Sequence, residues 1–144
     1  MKIIQIEANI DDMNPEWYQP LMENLFAAGA RDVALIPAIM KKGRPGVKVE
    51  ILCDASKRAK LSLILLEEST TLGVRFWSVQ RQELAREVLQ VKTPYGSVQI
   101  KVGRDARGKI INQAPEYESC RKLAEAQKIP IKLIYQAAMQ AKLS

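Results

Sequence analysis

Histidine does not occur in these 144 residues, and cysteine occurs twice. Without histidine the chain lacks the commonest ligand of zinc, nickel and copper, and it can build no Ser-His or Cys-His nucleophile pair, so acyl-enzyme chemistry is disfavoured. Cys53 and Cys120 stand far apart in sequence. Two such thiols make no soft-metal site within one chain, and in a reducing compartment both should be free. Any resident metal should therefore be hard and oxygen-ligated, such as Mg²⁺ or Mn²⁺. Long apolar runs are also missing, which excludes a helical membrane span. The N-terminal "MKIIQIEAN" alternates where a signal peptide would be continuously apolar, so the expectation is a cytoplasmic protein with no membrane partner.

What the chain does have is an ordinary globular composition, 47% hydrophobic and 26% charged, and a length that favours one folding unit over residues 1–144. Its 22 Lys and Arg against 16 Asp and Glu leave a net charge of +6, which favours an anionic partner.

Residues 2–10 alternate, with Ile4, Ile6, Ala8 and Ile10 on one face and Gln5, Glu7 and Asn9 on the other, the pattern of a half-buried strand. Asn14-Pro15 reads as the cap and first turn of a helix that Gly29 stops. Strands over 32–40 and 47–53, a second helix opened by a cap-like Asp54, and a strand over 74–80 follow. The order β-α-β-β-α-β over residues 1–81 predicts an α+β, ferredoxin-like sandwich. Residues 82–144 read as an extension: a hairpin around "TPYG", a short strand over 109–112, and two C-terminal helices, about 116–127 and 130–141.

Four stretches carry candidate chemistry. "EANIDDMNPE" crowds Glu7, Asp11, Asp12 and Glu16 around a strand exit. Helix capping is the ordinary reading and explains one or two of them, and metal or phosphoryl chemistry is the alternative; capping alone leaves Glu7 and Asp11 on an exposed strand face without a partner. "MKKGRPG" sets Lys41, Lys42 and Arg44 on a glycine-containing loop, either a solvated basic turn or an anion site, and it lacks the spacing of a P-loop. "TTLGVR" puts Arg75 on a strand after two hydroxyls, on one face with Trp77, Val79 and Arg81. "APEYESC" reads as ordinary helix initiation. Clusters of acids and of bases in one chain suit metal-assisted phosphoryl or nucleotidyl chemistry, in which cations hold phosphates and carboxylates hold Mg²⁺.

"EANIDDMNPE", "MKKGRPG", "TTLGVR", "TPYGSVQIKV" and "PEYESCRKLAE" stand in the order and at about the distances of the C-terminal domain of the LarC nickel insertion proteins, which the chain resembles from about Ile6 to Ala138. That family is the CTP-dependent nickel chelatase, a lyase, for pyridinium-3,5-bisthiocarboxylic acid mononucleotide, and makes the nickel-pincer nucleotide cofactor of lactate racemase with Mg²⁺ or Mn²⁺. The resemblance implies that Asp11, Asp12, Glu7 and Glu16 hold the divalent ion. It implies Lys41, Lys42, Arg44, Arg75, Arg86 and Lys101 around the phosphates of CTP, and nucleotidyl transfer from CTP to the cofactor precursor. Nickel is then a substrate of the full-length protein, handled by a histidine-rich N-terminal portion of the family's protein that this chain does not include, and the assembly is a homo-oligomer. It assigns no catalytic residue.

Two other classes compete. One is a basic ferredoxin-like RNA- or DNA-binding module, disfavoured because Trp17, Trp77, two Phe and four Tyr supply no RNP-type pattern and the first strand is acidic outside. The other is an oligomerisation domain of a larger enzyme. Metal-enhanced CTP binding would single out the first reading.

Overall fold

The computed structural model describes residues 2–143 as two compact units, Met1–Arg81 and Gln82–Ser144, each with its own core.

In the first unit the strands are β1 (Ile3–Ile10), β2 (Asp32–Ile39), β3 (Pro45–Asp54) and β4 (Arg75–Val79), and the helices are α1 (Tyr18–Ala27) and α2 (Arg58–Glu68). The sheet order is β2-β3-β1-β4, antiparallel throughout. This is the ferredoxin-like order expected from the sequence, and it puts the two most regularly alternating strands, β1 and β3, at the centre. Ile6, Ala8 and Ile10 of β1 and Val49, Ile51 and Cys53 of β3 are buried with Leu21 and Leu25 of α1 and Leu61 and Leu65 of α2. Fully burying side chains of this size stabilises by about 1.5–3 kcal/mol each.

Local signals differ from the expectation in two places. Asn14 does cap, its side chain accepting from the Glu16 N–H at 2.9 Å, but what it caps is a 3-10 turn, Pro15–Trp17, that leads into α1. Asp54 makes no side-chain cap; it ends β3 and pairs with Arg31 at 2.8 Å.

In the second unit β5 (Ala85–Thr93), β6 (Gly96–Arg104) and β7 (Ile110–Pro115) form an antiparallel meander, followed by α3 (Tyr117–Gln127) and α4 (Ile131–Gln140). Val91, Val98, Ile100 and Val102 face Cys120, Ala124, Ile134 and Ala138 in its core. At the "TPYG" turn Gly96 has φ 138°, and a Cβ there would come within 2.9 Å of Leu123, so backbone conformation and packing both require glycine. β7 runs to Pro115, three residues beyond the predicted short strand.

Both cysteines are free, and both are buried, which raises both thiol pKa values above the ordinary one. Among the described residues no helix is long and apolar enough to cross a membrane.

Candidate functional site

The site is built on the face of the first sheet that turns away from the helices, and on the turns at the end of β1. Register fixes who meets whom. Glu7 in β1 lies opposite Glu50 in β3 and Arg75 in β4, and Asn9 lies opposite Lys48. Side chains directly opposite on one face come within about 5 Å at Cβ, so an acid here is bound to interact with its cross-strand neighbours.

Glu7 is where the expectation fails. Alternation assigned it to solvent without a partner, yet it is only 5% exposed and fully engaged. Arg75 donates to it through Nε at 3.0 Å and Nη2 at 2.8 Å, Gln5 donates at 2.9 Å, and the Lys48 ammonium lies 3.6 Å away. Lys48 also pairs with Glu50. Arg75, Lys48 and their neighbours are long enough to close over a position that a period-two pattern marks as outward. Burial alone would raise the Glu7 pKa, but the Arg75 guanidinium, with help from Gln5 and Lys48, outweighs it and holds the carboxyl below its ordinary value. Lys48 moves the other way, its pKa raised chiefly by Glu50. Arg75 spends its remaining contact on Asn9 Oδ1 at 2.9 Å.

Asp11 also has a partner, which capping alone would not have supplied. Its carboxylate pairs with Arg44 Nε at 3.0 Å, which brings the acidic exit of β1 and the "KKGRPG" turn together although 33 positions separate the two residues in sequence. That turn is short and tightly closed. Met40 N–H donates to Arg44 O at 2.8 Å and Gly43 N–H to Met40 O at 3.1 Å, while Lys42 takes the left-handed φ of 62°. At Gly46 a Cβ would lie 2.7 Å from the Ile10 carbonyl oxygen, so only glycine lets β3 start this close to the end of β1. Lys41 and Lys42 are exposed on the turn. Asp12 accepts from Thr70 Oγ1 at 2.6 Å, which ties the "TTLGVR" loop to the same exit.

The carboxylates named from the sequence therefore separate by role. Asp11 and Asp12 sit at the strand exit, Glu16 lies exposed in the first 3-10 turn, and Glu7 sits four strand positions before Asp11, about 13 Å along an extended chain. Among the described residues no group of three or more Asp, Glu and Cys is placed to hold a metal. A closed all-protein cage is thus not present. Mg²⁺ requires less, since it takes one or two carboxylates and fills its octahedron with water and substrate phosphate oxygens. Asp11 and Asp12 fit that requirement.

Arg86 and Lys101 belong to the second unit. Val88 lies opposite Lys101 and Arg86 opposite Gly103, so both side chains leave the same face of that sheet. Each holds an exposed ion pair, Arg86 with Glu83 at 2.9 Å and Lys101 with Glu116 at 2.9 Å. Sequence reasoning passed over Lys48 and Asn9. Their signal was available in the alternation of β3 and β1, but only the register shows that both reach the Glu7–Arg75 pair.

On the outward face the central strands present Gln5, Glu7 and Asn9 from β1 and Lys48, Glu50 and Leu52 from β3. None of these is aromatic, so the stacking platform on which ferredoxin-like sheets bind single strands is missing from the middle of this one.

Comparison with known proteins agrees with this architecture. The family model described as nickel insertion protein matches residues 1–135. The chain is 44% identical, over 93% of its length and 34% of the relative's, to the pyridinium-3,5-bisthiocarboxylic acid mononucleotide nickel insertion protein of Thermotoga petrophila. It is 45% identical, over 97% of its length and 36% of the relative's, to a putative nickel insertion protein of Syntrophobacter fumaroxidans. It spans about a third of the length of these curated relatives. Among solved structures it matches the apo form of LarC2, the C-terminal domain of a cyclometallase involved in the synthesis of the NPN cofactor of lactate racemase, with a TM-score of 0.91 and 40% identity over 98% of this chain and 96% of that one.

Proposed function

Because the chain belongs to the nickel insertion protein family, we propose that it is the CTP- and divalent-metal-binding module of an enzyme that inserts nickel into pyridinium-3,5-bisthiocarboxylic acid mononucleotide, on the way to the nickel-pincer nucleotide cofactor of lactate racemase. Nickel is a substrate in this reading, and the remaining two-thirds of such an enzyme handles it. The assembly is a cytoplasmic homo-oligomer.

The observation that carries the reading is the 3.0 Å contact of Asp11 with Arg44, where an acidic and a basic turn meet at one end of the sheet. With Arg44 half-exposed, a pair at the surface of this kind is worth about 1 kcal/mol to the fold, so a ligand can separate it at modest cost. A triphosphate arriving with a hard divalent ion offers each partner a stronger one. Arg44 would take phosphate oxygens through its fork, and Asp11 would be left to hold the ion. Thr70 orients Asp12 beside it, and Lys41 and Lys42 add two positive charges on the same turn. Arg75, half-exposed and aligned by Glu7 and Asn9, offers a further guanidinium edge; Arg86 and Lys101, which the family resemblance also implies for the phosphates, belong to the second unit. The bound ion supplies charge neutralisation of the triphosphate. In nucleotidyl transfer a phosphate oxygen of the cofactor precursor attacks the α-phosphorus of CTP, the bond to the bridging oxygen breaks, and pyrophosphate leaves. The basic turn stabilises the charge that develops on it.

Titrating CTP into the wild type and into an Asp11→Asn, Asp12→Asn double variant, each with and without Mn²⁺, tests the reading. The expected result is metal-enhanced affinity in the wild type that disappears in the double variant while circular dichroism is unchanged. Retained enhancement in the double variant overturns it.

A further inference from the structure

We propose that Glu7 is a positioning residue of the nucleotide site: it does not touch the divalent ion, and it fixes Arg75 so that one guanidinium nitrogen, Nη1, is held out to a phosphate oxygen of the ligand. This role rests on the reading that the turns around Asp11 and Arg44 take CTP, and it gives Glu7 a task other than the metal contact that the family resemblance implies.

The contacts of Glu7 are already complete. One carboxylate oxygen, Oε2, accepts from both Nε and Nη2 of Arg75, at 3.0 and 2.8 Å. The other, Oε1, accepts from Gln5 at 2.9 Å and has the Lys48 ammonium 3.6 Å away. Each oxygen faces two donors, and only 5% of the residue is exposed. The strand also carries Glu7 about 13 Å from Asp11, whereas an ion with ligands at about 2.1 Å gathers its oxygens within about 4 Å of one another.

For Arg75 the same contacts form a clamp. Nε and one hydrogen of Nη2 are committed to Glu7, and the other hydrogen of Nη2 goes to Asn9 Oδ1 at 2.9 Å. Among the described residues Nη1 has no partner, and the side chain is half exposed, so what a fixed guanidinium leaves open is a single nitrogen with two N–H groups. The loop that carries Thr70 to Asp12 leads directly into Arg75, which joins the clamp to the acidic exit of β1.

The arrangement costs the fold more than seating an arginine requires. Register puts Glu7 opposite Glu50, two acids facing each other across the central strands, where like charges destabilise, and burial adds the desolvation of one of them. Lys48 offsets both, pairing with Glu50 as well as reaching Glu7. Arg58 shows the simpler alternative: its guanidinium lies over the Phe76 ring, 4.2 Å from the centroid, with no carboxylate partner among the described residues. A charged network kept in the middle of a sheet against the rules of strand pairing points to a functional site.

Calorimetric titration of CTP, with and without Mn²⁺, tests the role in Glu7→Gln, Asn9→Ala, Arg75→Ala and the Glu7→Gln, Arg75→Ala double variant. Glu7→Gln should weaken CTP by about tenfold, and Asn9→Ala, at the exposed end of the clamp, by about threefold, as expected for the loss of a charged and of a weaker hydrogen bond. The double variant should bind no more weakly than Arg75→Ala, because Glu7 acts only through the guanidinium. The factor by which Mn²⁺ enhances CTP affinity should be the same in Glu7→Gln as in the wild type, since a lost phosphate contact weakens both states alike; a metal ligand would lower that factor. Circular dichroism checks that each variant is folded, and Asn9→Ala carries the test if Glu7→Gln is not. Unchanged CTP affinity in the folded variants would show that the clamp serves the fold alone, and a reduced enhancement factor in Glu7→Gln would return the carboxylate to the metal; either overturns the proposal. Absence of CTP binding in the wild type would overturn the CTP reading and this role with it, whereas wild-type binding that the clamp variants leave intact overturns this role alone.

Discussion

The two units use charge differently. In the first, an acid is drawn into the sheet: Glu7 is buried on the face away from the helices and held by Arg75, Gln5 and Lys48, while Asp11, Asp12 and Arg44 meet at the turns that close the strands. In the second, the strands carry nearly as many charged residues, but their ion pairs are more open to solvent: Arg86 with Glu83, Lys101 with Glu116, Arg104 with Glu87. Residue type does not tell these settings apart. Arg75 and Arg86 are equal candidates for phosphate contacts on a sequence page, yet one is locked to a buried carboxylate and the other to an exposed one. A buried partner fixes a guanidinium in one orientation, and an exposed partner leaves it to trade places with water.

Substituting one acid in each unit gives the largest expected contrast. Glu7→Gln leaves Arg75 and Lys48 facing a neutral amide and should cost about 1–3 kcal/mol in urea denaturation, whereas Glu87→Gln should cost under about 1 kcal/mol. The pH dependence should differ too. The Glu7 carboxyl is held below its ordinary value in the folded state, so it binds its proton less readily there than in the unfolded chain. Its contribution is present above the unfolded pKa and is lost as pH falls through the folded one. Glu7→Gln should therefore flatten the acid limb of the stability curve, and Glu87→Gln should leave that limb in place. Equal costs and equal limbs in the two variants would erase the distinction.

The next contrast concerns binding. Arg44→Ala should weaken CTP by about tenfold, the equivalent of about 1.4 kcal/mol, and Arg86→Ala by about twofold at most. Cytidine, which has no phosphates, should bind both variants and the wild type equally poorly. A larger loss in Arg86→Ala than in Arg44→Ala, measured by calorimetry, would move the phosphate contacts to the second unit.

The smallest effect sharpens the comparison from within the first unit's core. Ser62 of α2 is buried, and among the described residues its hydroxyl finds no partner. Ser62→Ala removes that unsatisfied group and improves helix propensity, so it should stabilise by about 0.5–1 kcal/mol and raise the melting temperature.

The ferredoxin-like order was legible because its parts are periodic. Ile4, Ile6, Ala8 and Ile10 alternate, Leu21 and Leu25 recur at helical spacing, and glycine punctuates between them. The Glu7 environment was not legible, since alternation tells which face a residue takes and is silent on whether long neighbours from two other strands will cover it. The Asp11–Arg44 contact was half legible: both turns stood out by composition, but their meeting depends on β3 pairing with β1 in one register and on Gly46 allowing the approach. Arg58 gave no sequence signal, because its place over the Phe76 ring comes from the tertiary fold and not from spacing.

Each core also contains one cysteine and no more, Cys53 in the first and Cys120 in the second, both fully buried. Nature has in effect installed one timer per unit. A thiol reagent can reach either sulfur only when the surrounding packing opens, so the two alkylation half-times, separated by peptide mass, read the opening frequency of each unit in the unmodified chain and need no engineered probe.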